Sequence, residues 1–309
     1  MLFYNPTAHS DNIFRIKEAH DGLVLTASAD KTVKVWNSSN NWNLIGTYTN
    51  HTGYVYALVY LSNDVMASGD TGGKINIWRI NSLTAIRTLS SSAVYSLALL
   101  NNGFYLASGH SNNILIWNIN DGSIFKTLVG HTSYVYDLAV ISDELLASCS
   151  ADLTVRIWNL TSYSLKYAMN GHTNIVNGIK VIAADVIASG SKDNTIIIWN
   201  ITSGSLIRNL TNHTNSIYYS LDLFDRQTMI SGSYDNTIKL WQISTGTLLK
   251  SVNTVYSILV SSIAVIGIGS NTCKYFFLIQ ASTLKYFYCN YRKRYHVMKH
   301  FNIFNTILS

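Results

Sequence analysis

The sequence predicts an all-β protein built from copies of one small four-stranded antiparallel sheet. Two observations predict it. Residues 130–169 hold four short apolar runs divided by turn-forming residues. Six tryptophans, Trp36, Trp78, Trp117, Trp158, Trp199 and Trp241, follow one another at intervals of 42, 39, 41, 41 and 42 residues. A regular period of that size is the mark of a repeat architecture.

The runs in residues 130–169 are Val135 to Val140, Glu144 to Ser148, Thr154 to Trp158 and Ser164 to Ala168. Each is about strand length, and Ser142-Asp143, Ala151-Asp152 and Asn159 to Ser162 supply the turns between them. One such sheet alone exposes both faces and is marginally stable, so it needs neighbours of the same kind. Those neighbours are in register. Ile13, Val55, Val94, Val135 and Val176 each lie 23 residues before a Trp, and Ile217 precedes Trp241 by 24. His9, His51, His131 and His172 lie 27 residues before theirs, and His213 lies 28 before Trp241.

A period near 41 with four strands per unit, and a His and a Trp at fixed places in it, resembles the WD40-repeat (WD-repeat) β-propeller family. The resemblance covers roughly residues 2–288. It implies a closed ring of four-stranded blades, and the length of 309 residues suits a seven-bladed β-propeller as one domain over 1–289. The blades are expected near 9–49, 51–89, 90–128, 131–169, 172–210, 213–250 and 253–288. Unit one has strands near Ile13 to Ile16, Leu23 to Ser28, Val33 to Trp36 and Leu44 to Tyr48. Unit two has them at Val55 to Tyr60, Val65 to Ser68, Lys74 to Trp78 and Ala85 to Leu89. Unit three has lost residues before Val94 and in the turn Ser108 to Asn113. Units four to six are regular. Unit seven is degraded: Val255 to Ile258 matches Val135 to Leu138, Phe276 or Phe277 stands at the Trp site, and Leu284 to Tyr288 is its outer strand. Leu2-Phe3-Tyr4 competes with that strand for the edge where the ring would close.

Composition fits this architecture. Hydrophobic residues make up 48% of the chain and charged residues only 12%, as expected where most strands are sandwiched between sheets. The first 235 residues carry 14 basic and 16 acidic residues, so the net charge of +6 comes from the end of the chain. Residues 290–309, NYRKRYHVMKHFNIFNTILS, fit no repeat and form a basic tail. Cys149, Cys273 and Cys289 have no motif spacing and point to reduced thiols in a cytoplasmic or nuclear protein. The first residues lack a basic, then apolar, leader. The most apolar window, Val255 to Ile268, is too short to span a bilayer, so no transmembrane segment is expected.

His, Ser and Asp recur together: His9, Ser28, Asp30; His131, Ser150, Asp152; His172, Ser191, Asp193; His213, Ser233, Asp235. A catalytic triad is held once, beside an oxyanion hole. Four sets tied to Trp36, Trp158, Trp199 and Trp241 read instead as a structural network. The resemblance implies that the Asp meets the His, the His the Ser, and the Ser the indole. Unit two has Asp70 at the Ser position and Gly72 at the Asp position, unit three has His110 inside its turn, and unit seven has none of the four. Those three units are therefore expected to be the least protected from hydrogen exchange. No polar cluster occurring once in the channel is evident, no metal spacing and no phosphate loop; no enzyme activity, no metal and no cofactor are expected.

Function is then expected on the surfaces. In this family the top face is the usual docking surface for peptides. The residues after the inward Val or Ile are Phe14, Tyr56, Tyr95, Tyr136, Asn177, Tyr218 and Tyr256, an aromatic series at the channel mouth. Tyr54 and Tyr134 lie just before it, and Lys192 and Tyr234 precede the hairpin Asp. Such a mouth could hold a cationic or apolar anchor of a partner protein or peptide. The expected role is a non-enzymatic protein-interaction scaffold. The competing reading is a protein working on nucleic acid or a membrane surface through the basic tail; the near-neutral ring offers nucleic acid no footprint.

Overall fold

Alternating residues and tight turns build every sheet in the same way. In this computed structural model the described residues are 9–38, 43–62, 64–100, 103–253, 265–268, 273–280 and 283–290. In the fourth unit the strands are Val135–Ser142, Leu145–Ser150, Val155–Asn159 and Ser164–Met169, paired antiparallel in chain order. The second strand, LLASCS, is buried on both faces, whereas the fourth, SLKYAM, is mostly exposed. The sheet thus runs from an enclosed inner edge to a solvated rim.

Six such four-stranded sheets succeed one another. Their inner strands are Ile13–Glu18, Val55–Ser62, Ser96–Leu100, Val135–Ser142, Val176–Ala183 and Leu221–Leu223. The apolar core lies in the seams between consecutive blades. Leu25, Val35 and Tyr48 of blade one pack with Val55, Met66 and Trp78 of blade two. Ala147, Ile157 and Met169 of blade four pack with Val176, Ile187 and Trp199 of blade five in the same manner. Each of these tryptophans turns toward the preceding blade, and the Trp78 ring stacks on Tyr48 with centroids 4.5 Å apart. A blade therefore depends on its neighbour for its core, as the marginal stability of a lone sheet requires.

The ring count differs from seven. Among the described residues the structure has six four-stranded blades, and the strands Val265–Ile268, Cys273–Gln280 and Thr283–Asn290 form a separate three-stranded sheet. All six inner strands contribute to one lumen, and the Arg15 guanidinium of blade one lies there 4.1 Å from the centre of the Tyr219 ring of blade six. The last unit carries no His, Asp or Trp, so it lacks the polar fastening that ties a loop to a hairpin in the other blades. Leu284 to Tyr288 falls within the last strand of the small sheet. Val255 to Ile258, Leu2-Phe3-Tyr4 and residues 291–309 of the basic tail lie outside the described residues.

Two local features position the site. At the start of four inner strands the register slips by one residue, between Ile13 and Arg15, Val55 and Ala57, Val135 and Asp137, and Val176 and Gly178. The extra residue is Phe14, Tyr56, Tyr136 or Asn177, and such a bulge re-aims the side chains around it. The hairpin joining the second and third strands places Lys31, Leu153, Asn194 and Asn236 at positive φ, 67°, 71°, 71° and 66°. The preceding Asp holds this turn; Asp152 Oδ1 accepts from the Thr154 amide at 3.0 Å and its hydroxyl at 2.7 Å.

Candidate functional site

Each of the six blades contains a hydrogen-bonded chain reaching from its Trp to the opposite end of the sheet. In blade four the Trp158 indole N–H donates to Ser148 Oγ at 2.8 Å. Ser148 lies 2.7 Å from His131 Nε2, and His131 Nδ1 lies 2.7 Å from Asp152 Oδ2. The hydroxyl accepts from the indole and donates to Nε2, so the imidazole carries its hydrogen on Nδ1 and donates to the carboxylate. Asp152 also accepts from the Thr132 amide at 3.1 Å, which fixes the loop leading into the first strand. Blade five repeats this with Ser189, His172 and Asp193, and blade six with Ser231, His213 and Asp235. Blade one uses Thr26 as the hydroxyl between Trp36 and His9, which bonds Asp30.

The hydroxyl in contact with the indole is therefore not Ser28, Ser150, Ser191 or Ser233 but the residue two positions earlier. The register pairs Trp158 with Leu146, which makes Ser148 the diagonal neighbour on the same face. Ser150 lies another two residues on, roughly 6.6 Å further along the strand. It bonds the backbone instead: Ser150 Oγ donates to the Ser133 carbonyl at 3.0 Å and accepts from the Asp152 amide at 3.0 Å. Ser28, Ser191 and Ser233 do the same with Asp11, Asn174 and Asn215.

Blades two and three also differ from the sequence reading. In blade two the chain is complete, because Asp70 supplies the carboxylate from the end of its strand. Asp70 Oδ2 lies 2.8 Å from His51 Nδ1, and Ser68 bonds both His51 Nε2 at 2.6 Å and Trp78 at 3.0 Å. Counting back from the Trp by a constant number placed Gly72 there instead. In blade three His110 enters from the turn after the second strand. Its Nε2 meets Ser108 at 2.7 Å, Ser108 accepts from Trp117 at 2.7 Å, and Nδ1 faces the Ala93 carbonyl at 3.1 Å. The imidazole reaches the same place by another route, with a backbone oxygen standing in for the carboxylate. The basis for expecting weaker protection of these two blades is gone.

Burial alone would raise the pKa of the network carboxyls, and the bonds from histidine, turn hydroxyl and backbone amides outweigh it. Asp30, Asp152, Asp193 and Asp235 sit far below the ordinary carboxylate range, and Asp70 is held at about 2. Burial pushes His110, His131 and His213 below the usual histidine value. Both effects act on the acid side. An unfolded chain takes up protons on these histidines first, as pH falls below about 6.5, and on the carboxyls below about 4. Thermal stability is therefore expected to be level between about pH 7 and pH 8, to decline as pH falls below about 6.5, and to drop more steeply below about pH 4. Scanning calorimetry from pH 8 to pH 3 checks this; a melting temperature unchanged down to pH 3 would contradict it.

The lumen holds a polar cluster that occurs once, contrary to the sequence reading. Arg15 of blade one crosses it to Asp137 of blade four, with Nη2 2.6 Å from Oδ1 and Nη1 3.3 Å from Oδ2. Its remaining N–H groups reach the carbonyls of Tyr56 and Tyr136, each at 3.3 Å, and its face lies on Tyr219. Asp137 is further satisfied by the amides of Leu138 at 3.0 Å and Ile179 at 3.1 Å. Burial disfavours the Arg15 charge, and Asp137 together with its other neighbours in the lumen more than restores it. Such a saturated pair has no lone acid or base to offer a substrate. The cysteine beside it, Cys149, is buried and its thiol is pushed well up, away from the reactive thiolate. The signal lay in the column two residues after the inward aliphatic, where Arg15, Ala57, Asp137, Gly178 and Tyr219 break the repeat.

Above this cluster the tyrosines meet one another. Phe14 stacks on Tyr56 at 4.0 Å, Tyr56 and Tyr95 lie 5.7 Å apart, Tyr95 meets Tyr136 at 5.6 Å, and Tyr218 stacks on Tyr234 at 4.4 Å. Lys192 Nζ lies 5.3 Å from the Tyr218 ring centre. Burial, helped by neighbouring tyrosines, pushes Tyr56 and Tyr234 up to about 12. Tyr54 and Tyr134 stand at the outside of this cluster, 48% and 43% exposed. Tyr256 lies outside the described residues. Among the described residues no group of three or more His, Cys, Asp or Glu side chains could hold a metal, and no helix is long and apolar enough to cross a membrane.

Comparison with known families agrees with the six blades. A family model for the WD domain, G-beta repeat matches residues 2–37, 42–79, 83–118, 122–159, 163–200 and 204–242. The chain belongs to the WD-repeat family. Each matched repeat ends at or just after one of the six tryptophans that anchor the hydrogen-bonded chains. WD-repeat propellers are typically protein-interaction scaffolds and generally non-catalytic. Among curated proteins, the chain is similar to eukaryotic translation initiation factor 3 subunit I of Schizosaccharomyces pombe, with 33% identity over 76 residues. That match takes in 24% of this chain and 23% of the relative, so it spans about a quarter of either protein.

Proposed function

We propose that this WD-repeat propeller is a non-enzymatic interaction module that docks partner proteins or peptides on its top face, around the channel mouth. The observation that carries the reading is the pairing of exposed aromatics with a strained apolar residue there. Tyr54 and Tyr134 present large planar side chains with close to half of their surface exposed. Leu153 holds φ 71° and is 38% exposed, where blades five and six place Asn194 and Asn236. A leucine in the left-handed region is strained by about 1 kcal/mol and gains nothing by burial at that position. Retaining it makes sense where its side chain meets a partner. The tyrosines facing inward, Tyr56, Tyr95, Tyr136 and Tyr218, act beneath this rim as its rigid floor, and Lys192 and Tyr234 flank it. The cation–π slot at the mouth is filled from within by Arg15, which favours apolar and aromatic anchors over a guest arginine. The similarity to a subunit of a translation initiation factor supports a place in a multiprotein assembly of the cytoplasm.

The test is affinity capture by the tagged full chain, quantified by mass spectrometry. A variant combining Tyr54→Ala, Tyr134→Ala and Leu153→Asn is expected to lose at least tenfold of each specific partner. A rim variant, Ile45→Ser, is expected to keep them. Leu153→Asn alone is expected to raise the unfolding free energy by about 0.5–1 kcal/mol, since asparagine tolerates that backbone conformation. Equal capture by the triple variant and the native chain would refute the reading.

A further inference from the structure

In all six blades the outer strand bulges at the same place, beside the Trp of the third strand. The extra residue is Ile45, Ile86, Phe125, Lys166, Ile207 or Leu249. Such a bulge spoils the exposed edge for pairing with another strand. That task needs no apolar side chain, as Lys166 shows, yet the other five are large hydrophobics exposed by 37% to 51%. The charged residues on the six outer strands are all basic: Arg87, Lys126, Lys166, Arg208 and Lys250. The pattern is densest where blades three and four adjoin. Phe125 stacks on Tyr105 with centroids 4.6 Å apart and meets the Tyr163 ring at 5.5 Å. Lys126 Nζ lies 5.8 Å from the centre of the Phe125 ring and 5.7 Å from that of Tyr163. Tyr163 holds φ 54°, where blades three, five and six have Gly122, Gly204 and Gly246. Leu165, 41% exposed, and the exposed Lys166 continue the surface. Neither Lys126 nor Lys166 has a carboxylate partner among the described residues. The Asp121 carboxylate is taken by Asn118 and Ser123. Asp143 and Glu144 lie in the hairpin of the first two strands, at least two strand spacings, roughly 10 Å, inside the outer edge. Water and salt screen them there.

We infer that the rim where blades three and four adjoin docks an acidic segment of a partner protein, one in which Asp or Glu alternates with large apolar residues. Its carboxylates meet Lys126 and Lys166, and its apolar side chains cover Phe125 and Leu165. Basic and apolar groups in alternation are the complement of such a segment, and an exposed aromatic cluster supplies its anchor. A bilayer is flat whereas consecutive blades point in different directions around the ring, and a phosphate backbone leaves the apolar residues uncovered. For its partner the inference rests on the top-face reading: the segment belongs to a protein held at the channel mouth.

The experiment is fluorescence anisotropy with the full chain and a labelled peptide of alternating Glu-Leu and Glu-Phe. The comparison probes are a Glu-Ser peptide, a Lys-Leu peptide, oligouridine, and phosphatidylcholine vesicles containing phosphatidylserine, the last read by co-sedimentation. The acidic apolar peptide is expected to bind, the Glu-Ser peptide about tenfold or more weakly, and the Lys-Leu peptide not at all. Lys126→Ser with Lys166→Ser removes two exposed charges, so it is expected to fold normally and to weaken the peptide by about tenfold or more. Leu165→Ser is expected to weaken it as well, and Ile45→Ser on blade one to leave it unchanged. The top-face variant with Tyr54→Ala, Tyr134→Ala and Leu153→Asn is expected to hold the peptide as the native chain does, so the two surfaces fail separately. Loss of the peptide in that variant would place it at the mouth and overturn the rim site. No binding, equal binding by the double lysine variant, a Glu-Ser peptide as tight as the apolar one, or tighter binding of oligouridine or vesicles would overturn it too.

Discussion

Replacing Asp70 with alanine is expected to lower the unfolding free energy by about 3 kcal/mol or more, the largest loss for any single network carboxylate. The His51 and Asp70 side chains are both fully buried, whereas Asp30, Asp152, Asp193 and Asp235 keep a small exposed fraction. Asp70 accepts from His51, from the Thr52 amide at 3.0 Å and from the Lys74 amide at 3.1 Å. Its removal leaves the buried His51 N–H and two part-buried amides unpaired, and breaking one side of a buried pair costs about 3–5 kcal/mol. A surface aspartate such as Asp121, which braces an exposed turn with Asn118 and Ser123, is expected to lose less than about 1 kcal/mol on the same change. Urea denaturation of the two variants checks the contrast. Comparable losses for Asp70→Ala and Asp121→Ala would mean that the buried chain contributes little to the fold. Amide exchange adds a second readout: blade two is expected to be as well protected as blade four in the native chain and to open first in Asp70→Ala.

The repeat itself was plain in the sequence because burial between blades imposes the same residue type at the same place six times. Trp36, Trp78, Trp117, Trp158, Trp199 and Trp241, the inward aliphatics and the second-strand runs all answer to one physical demand, and their spacing displays it. Strand limits in blade four agree with the apolar runs to within two residues at either end. What escaped was anything that depends on geometry rather than recurrence. Ser148 and Ser150 are both repeated serines, and only the register decides which one meets Trp158. Asp70 and His110 reach their places from shifted positions, so a constant count from the Trp passes them by. The seventh unit kept its apolar alternation after losing the polar residues that fasten a blade, and alternation alone implies strands without implying a four-stranded sheet. Arg15, Asp137 and Tyr219 each occur once, far apart in the chain, and come together only when the ring is formed.

That convergence makes the Arg15 crossing a sensitive test of the ring. Arg15→Met is expected to destabilise the protein by about 3–5 kcal/mol, because Asp137 is left charged in the lumen with only the Leu138 and Ile179 amides as partners. Asp137→Leu is expected to do similar harm by stranding the guanidinium. The double variant, Arg15→Met with Asp137→Leu, exchanges a buried ion pair for apolar side chains of comparable size, and it is expected to recover about 2 kcal/mol or more relative to the sum of the single changes. Urea denaturation of all four proteins closes the cycle, and simple additivity would show that the two groups act independently. The crossing also joins blade one to blades two, four and six at a single side chain. Blades consecutive in the chain already share an apolar seam, whereas the Arg15–Asp137 pair links blade one to blade four across the lumen. Loss of Arg15 is accordingly expected to raise exchange in the inner strands of blades one and four together while the seams between adjacent blades stay protected. Confinement of the effect to blade one would mean that the ring is held by its seams alone.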